Sequence, residues 1–171
     1  MTSYMETNNL TDMKHKVKLS GWSTGISLFC MGVIVAVMIF GAYKNDPWLL
    51  YPEAVFIIVF NLFALWYAPL YISVDKENIS VHRSLRIKDL PLRDVVSAEL
   101  CPPTMGERRV FASGGYLGYW GWFREKPEGK YFAYYGRASD CFLVTLRDGR
   151  KYMLGCENPG PVVDFIKAHI N

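Results

Sequence analysis

Two long apolar runs lie back to back near the N-terminus, and they constrain the fold more than any other feature. The first covers roughly residues 22–43 without a charged side chain, and the second covers roughly 47–72 with Glu53 as its only charge. About 20 helical residues cross a hydrocarbon core about 30 Å thick. Because three residues separate the runs, we expect a transmembrane helical hairpin over residues 20–72. A cleavable signal peptide is the alternative for the first run, but the apolar core of a signal peptide is shorter than this run.

The distribution of basic residues predicts how this hairpin is oriented. Lys14, Lys16 and Lys18 precede the first run, and further Lys and Arg residues follow the second. The connection between the runs carries only Lys44, next to Asp46. Since Lys and Arg accumulate on the cytoplasmic side of a membrane, both termini are expected in the cytoplasm.

Composition after the second run limits the classes of function. Residues 73–171 contain 15 Lys and Arg against 12 Asp and Glu, whereas nucleic-acid binders show a concentrated basic stripe. The four cysteines, Cys30, Cys101, Cys141 and Cys156, form no C-x-x-C pair and have no histidine at zinc-ligand spacing. We therefore expect no nucleic-acid partner, no metal and no cofactor.

Two polar side chains inside the second run are candidate functional residues. Asn61 lies in mid-run, where it can hydrogen-bond to the first helix or to another copy of the chain, a contact worth about 0.6–2 kcal/mol. Glu53 lies eight residues earlier. Intramembrane ionisable residues are candidates for transport, but Glu53 is close enough to the interface to stay hydrated. The sequence leaves open whether Glu53 takes part in transport or is a hydrated residue at the interface.

After Ile72 the apolar pattern changes to period two, which is typical of half-buried strands. Asp148 and Gly149 separate two apolar runs, a strong signal for a tight hairpin. Pro161 fits the first turn of a C-terminal amphipathic helix. The predicted strands are 71–75, 79–82, 95–100, 129–135, 141–146 and 151–156.

Residues 108–137 are rich in glycine and aromatic residues, and the part from Gly114 to Phe123 is the candidate contact surface. Its aromatic content exceeds what a small core needs, and exposed apolar patches mark interaction sites. The alternative is that its aromatic side chains pack inward or on the bilayer. The candidate binding residues are Tyr116, Tyr119, Trp120, Trp122, Arg108, Arg109, Arg124 and Lys126.

The chain resembles bacterial pleckstrin-homology-like (PH-like) membrane proteins, in which two transmembrane helices commonly precede a sheet domain. The segments that carry the resemblance are 71–75, 79–81, 90–95 and the glycine-aromatic stretch 109–121. It implies an α+β fold: a transmembrane helical hairpin, then a PH-like bent antiparallel β-barrel with a C-terminal capping helix. Phosphoinositide binding does not carry over, because the turn at 76–78 has one lysine and one glutamate.

These observations predict three parts: a disordered basic cytoplasmic arm (1–19), a transmembrane hairpin (20–72) and a PH-like domain (73–171). No catalytic motif is present, since none of His15, His82 and His169 has a nucleophile beside it in sequence. We expect a non-catalytic binding or scaffold module in the bacterial inner membrane, multi-pass, contacting the bilayer and a protein partner or a second copy. An accessory subunit of a membrane transporter or membrane enzyme is the alternative.

Overall fold

The computed structural model describes residues 13–44, 47–104 and 108–170. These residues form an α+β structure, as predicted. The helices are α1 (Gly21–Lys44), α2 (Pro47–Tyr67) and α3 (Pro159–His169). The strands are β1 (Met13–Lys16), β2 (Pro69–Val74), β3 (Asn78–Arg83), β4 (Ile87–Pro91), β5 (Val95–Leu100), β6 (Arg108–Gly115), β7 (Gly118–Glu125), β8 (Gly129–Tyr135), β9 (Cys141–Leu146) and β10 (Lys151–Gly155).

The two apolar runs form neighbouring helices. Among the described residues, α1 is the one helix long and apolar enough to cross a bilayer, judged by length and composition. The apolar stretch of α2, Tyr51–Tyr67, is shorter than such a span. Helix α2 ends at Tyr67 because the residue before Pro69 is disfavoured in helical geometry. Pro69 begins β2 directly afterwards, and a second membrane span stays a prediction.

A four-stranded antiparallel sheet has the order β1-β2-β3-β4. Its strand β1 corrects the prediction that residues 1–19 are disordered: Met13 pairs with Val74, and Lys16 pairs with Tyr71. The reason is that the outer edge of β2 presents unpaired backbone groups, which a short extended segment satisfies. The rest of the predicted arm, residues 1–12, lies outside the described residues.

A six-stranded sheet has the order β5-β9-β10-β8-β7-β6. All its pairs are antiparallel except β8 with β10, which run parallel. Strands β5, β8, β9 and β10 confirm the segments predicted from period-two alternation. The hairpin predicted at Asp148 and Gly149 joins β9 to β10, with Gly149 at φ 82°.

The main core lies between the two sheets and α3. Ile72 and Val81 of the small sheet, Phe142 of the large sheet and Ile166 of α3 are all fully buried there. A second cluster, which includes Phe123, lines the opposite face of the large sheet. The predicted closed, antiparallel barrel is corrected: the described strands form two open sheets with one parallel pair, because the short turn between β4 and β5 moves the chain from one sheet to the other.

Two glycines in the large sheet provide a test of how closely its strands approach. Gly121 has φ 113°, and a Cβ there would meet the Phe111 carbonyl oxygen and lie 2.7 Å from the Ala112 Cα. Gly129 also has positive φ, 77°, but a Cβ there would meet nothing within 4 Å.

We expect Gly121→Ala to lower the free energy of unfolding by about 2–4 kcal/mol, since left-handed strain adds to overpacking. Gly129→Ala, the matched control, should cost only about 1–2 kcal/mol from strain. Denaturant unfolding of the full chain in detergent, followed by intrinsic fluorescence, measures both. Equal losses would contradict the close approach of β6 and β7.

Candidate functional site

The glycine-aromatic segment folds into a hairpin of β6 and β7, whose tip lies against α1. We call residues Gly115–Gly118 the hairpin tip. Its backbone adopts φ values of 135° at Gly115, 54° at Leu117 and 100° at Gly118. Glycine tolerates such angles because it has no Cβ. The same property lets the tip approach the helix, since a Cβ on Gly115 would lie 3.3 Å from the Ile26 side chain.

Two serines of α1 hydrogen-bond to the backbone of the tip. The Ser23 hydroxyl donates to the Gly115 carbonyl at 2.5 Å and accepts from the Gly118 N–H at 3.2 Å. The Ser27 hydroxyl accepts from the Leu117 N–H at 2.9 Å. Residues four apart share a helix face, and both serines are buried. They satisfy backbone groups that would otherwise be buried without a partner.

A third polar contact joins the tip to α2. The Tyr116 hydroxyl donates to Asn61 Oδ1 at 2.6 Å, and Asn61 Nδ2 donates to the Ile57 carbonyl at 2.9 Å. Asn61 was expected to bond to the first helix or to another copy of the chain, whereas its partner here is the hairpin tip. We call the contacts of the tip with Ser23, Ser27 and Asn61 the hairpin joint.

Aromatic rings extend the joint along α2. Tyr67 stacks on Trp120 with centroids 5.4 Å apart and an interplanar angle of 14°. Phe63 meets the same indole edge-on at 5.9 Å, and Phe60 lies 5.5 Å from Tyr116. Such pairs contribute about 0.5–1.5 kcal/mol each beyond burial. Two of the predicted contact residues, Tyr116 and Trp120, therefore pack inside the protein, and they are only 8% and 7% exposed.

The other two predicted aromatic residues are half-buried. Trp122 packs edge-on against Phe132, and Lys130 Nζ lies 4.4 Å from the Trp122 ring centroid. Tyr119 stacks on Tyr135 on the other side of the sheet, with centroids 4.8 Å apart. These two rings remain partly accessible, and their role in binding stays a prediction.

The four predicted basic residues do not form one cluster. Arg108 pairs with Arg124 at the end of the hairpin far from the tip, and Lys126 follows β7 there. These three side chains line a cleft of about 650 Å³. Arg109 lies apart, because its guanidinium occupies the space next to Gly114, where a Cβ would lie 2.5 Å from Nη1.

The cleft also contains the buried carboxylate of Glu125, which the sequence did not indicate as a candidate. A glutamate at the end of a strand is usually exposed, and its partner Thr104 is 21 residues away. Glu125 accepts hydrogen bonds from the Thr104 backbone N–H at 2.8 Å and from the Thr104 hydroxyl. The nearby Cys101 thiol has a pKa above its usual value because of burial and the negative charge of Glu128.

Sequence reasoning also missed Arg83, which lies between two tyrosine rings. Its guanidinium carbon is 5.8 Å from the Tyr67 centroid and 5.6 Å from the Tyr134 centroid, and Nη1 donates to the Tyr134 hydroxyl at 3.3 Å. Burial raises the pKa of Tyr134 to about 12, although the Arg83 charge opposes this shift. Among the described residues, Arg83 has no carboxylate within 4 Å, and its buried Nε has no hydrogen-bond partner.

Exposed apolar side chains occur at the ends of α1 and α2 nearest the sheets and on strands and a turn of the two sheets. We call this set the apolar collar; it comprises Trp22, Trp66, Leu70, Leu85, Ile87 and Phe111. Trp22 and Phe111 are 68% and 69% exposed. Large apolar patches on a folded surface mark contact with a protein or a membrane.

The remaining candidates are dispersed. Glu53 is half-buried in α2, eight residues before Asn61. His15 bonds to the Glu157 carbonyl, and His82 bonds to Ser73. Within the described residues, no group of three or more His, Cys, Asp or Glu side chains is arranged to hold a metal ion.

Comparisons of the chain with protein-family models, curated proteins and solved structures find no match.

A double-mutant cycle tests the bond between Tyr116 and Asn61. We expect Tyr116→Phe and Asn61→Leu to be non-additive in the free energy of unfolding, with a coupling of about 0.6–1.7 kcal/mol. Thr24→Val is the matched control, because Thr24 is exposed on α1 and bonds only to the Ser20 carbonyl. Tyr116→Phe and Thr24→Val should therefore be additive. Additivity in both cycles would remove Asn61 from the joint.

The raised pKa of Cys101 predicts slow alkylation. At pH 8 its thiol should react with iodoacetamide more slowly than an unperturbed cysteine, because only the thiolate reacts. Glu128→Gln removes one cause of the shift, lowers the pKa of Cys101 and should speed the reaction. Cys156 is the internal control: its pKa is raised to about 12 by burial, Asp140 and Glu157, independently of Glu128. Peptide mass spectrometry measures both rates; a Cys101 rate unchanged by Glu128→Gln would contradict the assigned cause.

Proposed function

We propose that this chain is a non-catalytic, membrane-anchored binding module whose sheets lie against the cytoplasmic headgroup layer of a bacterial inner membrane. The observation that carries the proposal is the hairpin joint. It ties the large sheet to both apolar helices through hydrogen bonds as well as ring packing. A domain held in this way presents its surface to partners in one fixed pose.

The depth of the joint supports a helical hairpin with both ends on one side. Asn61 lies six residues before the end of α2 at Tyr67, and Ser27 lies six residues after the start of α1 at Gly21. Six helical residues correspond to about 9 Å. The tip therefore meets both helices at the same depth, and the excess of lysine before α1 favours a cytoplasmic location for that side.

The apolar collar supports direct contact with the bilayer. It includes the helix ends nearest the sheets, where Trp22 and Trp66 match the preference of tryptophan for the membrane interface. Arg86 lies beside it, with its guanidinium carbon 5.9 Å from the Trp66 ring centroid. Aromatic, aliphatic and basic side chains together are the composition that an interfacial surface requires.

The family relation is part of the same proposal. Two packed sheets with a C-terminal helix against β5 and β9 agree with a PH-like architecture in which the terminal helix closes one end of the core. PH-like sheets offer an edge strand to a peptide or a second subunit. Strand β6, at the edge of the large sheet, is available in this way, so a protein partner or a second copy remains part of the proposal.

Nitroxide labels test the pose of the sheets. The label is attached to an encoded ketone-bearing residue that replaces Phe111 or Leu85 in the collar. Val96 is the control position, since it is comparably exposed on the opposite edge of the large sheet. In vesicles, labels at Phe111 and Leu85 should collide more with apolar oxygen than with a water-soluble nickel chelate. The label at Val96 should show the reverse. The same aqueous pattern at all three positions would mean that the domain stands away from the bilayer.

A further inference from the structure

An apolar groove runs along α2 toward the sheets. It has a volume of about 510 Å³ and is lined by Val59, Leu62, Phe63, Trp66, Tyr67 and Leu85. Five of these residues belong to one side of α2, whereas Leu85 comes from the turn between β3 and β4. Leu85 is 52% exposed and lines the groove from the side of the sheets.

Two arginines lie next to the part of the groove nearest the sheets. The Arg86 guanidinium lies over Trp66, and the Arg83 guanidinium lies over Tyr67, so each cation touches a residue of the groove wall. Neither arginine has a carboxylate within 4 Å among the described residues. The groove is therefore apolar along its length and positively charged at one end.

Arg83 is the stronger sign that an anion belongs there. A half-buried guanidinium loses solvation, and this cost is offset only when hydrogen bonds and an opposite charge compensate it. Arg83 packs against two aromatic rings and donates one long hydrogen bond to the Tyr134 hydroxyl, while its buried Nε has no acceptor among the residues that the structure describes. An anionic group at the mouth of the groove would supply the missing charge.

The levels along α2 match the two parts of a phospholipid. Trp66 lies one residue before the end of α2, at the proposed interface, and Val59 lies eight residues before that end. Eight residues place Val59 about 12 Å deeper, among acyl chains. The cations therefore lie at phosphate level, and the apolar wall lies at chain level.

We propose that this groove holds one anionic phospholipid, with an acyl chain along α2 and the phosphate on Arg83 and Arg86. The inference rests on the proposed membrane-anchored function and names the lipid class that the collar selects. Guanidinium groups suit phosphate because their planar N–H donors match its oxygens. Arg108, Arg124 and Lys130 form a second group of cations at the far end of the hairpin, away from α2, so they serve as a comparison.

Intact-complex mass spectrometry of the full chain in detergent tests the proposal. Phosphatidylglycerol and phosphatidylcholine with identical chains are titrated separately, and bound lipid is counted. Wild type should retain one phosphatidylglycerol about tenfold more tightly than phosphatidylcholine, since each surface arginine adds attraction to anionic lipid. Arg83→Gln/Arg86→Gln should abolish this preference. Arg124→Gln/Lys130→Gln removes the same charge elsewhere and should leave it intact.

Further measurements distinguish lipid binding from folding, from phosphate binding and from membrane anchoring. Arg86→Gln alone, at an exposed position, should reduce the preference several-fold without changing the melting temperature, which separates lipid binding from folding. Millimolar inorganic phosphate should not displace the lipid, because the acyl chain contributes. Equal loss in both double variants, or no preference in wild type, would overturn the proposal. Both double variants should stay in the membrane fraction after alkaline extraction, so loss of lipid selectivity is distinguishable from loss of anchoring.

Discussion

The structure depends on satisfying the backbone of one tight turn in an apolar setting. A hairpin tip has N–H and C=O groups that strand pairing does not use, and such groups destabilise the fold when they are buried without a partner. Ser23 and Ser27 provide the missing donor and acceptors from one face of α1. Small hydroxyl side chains suit this role because they let the backbone of the tip approach the helix closely.

Once the tip is fixed, the position of the large sheet relative to the helices follows. Strand β7 leaves the tip toward Trp120, whose ring is clamped by Phe63 and Tyr67. Hydrogen bonds set the depth of the tip, and ring stacking sets the rotation of the sheet about it. Polar contacts at the tip and ring contacts along α2 together join the large sheet to both helices.

Local features of the sequence predicted much of the fold. Period-two alternation identified β5, β8, β9 and β10, and Asp148 with Gly149 identified a hairpin. These signals are local because turn geometry and strand pleating act over a few residues. The closed barrel was wrong, since which strands pair across sheets depends on contacts distant in sequence, such as the parallel pairing of β8 with β10.

The candidate site was less predictable for the same reason. The aromatic richness of the hairpin was visible, but its partners Ser23 and Asn61 lie 92 and 55 residues away from the tip residues they bond. Serine in an apolar run resembles any small residue, and Arg83 resembles any strand arginine. Their roles arise only when distant segments meet.

The pairing of β1 with β2 has a consequence for the order of biosynthesis. The segment that leads into α1 is made first, yet the Ser20 N–H donates to the Gly136 carbonyl and the Lys16 carbonyl accepts from the Glu157 N–H. Those partners emerge from the ribosome only after both apolar runs have been synthesised. The segment that precedes α1 therefore cannot complete these hydrogen bonds until the last third of the chain has been synthesised, so its docking is a late step in folding.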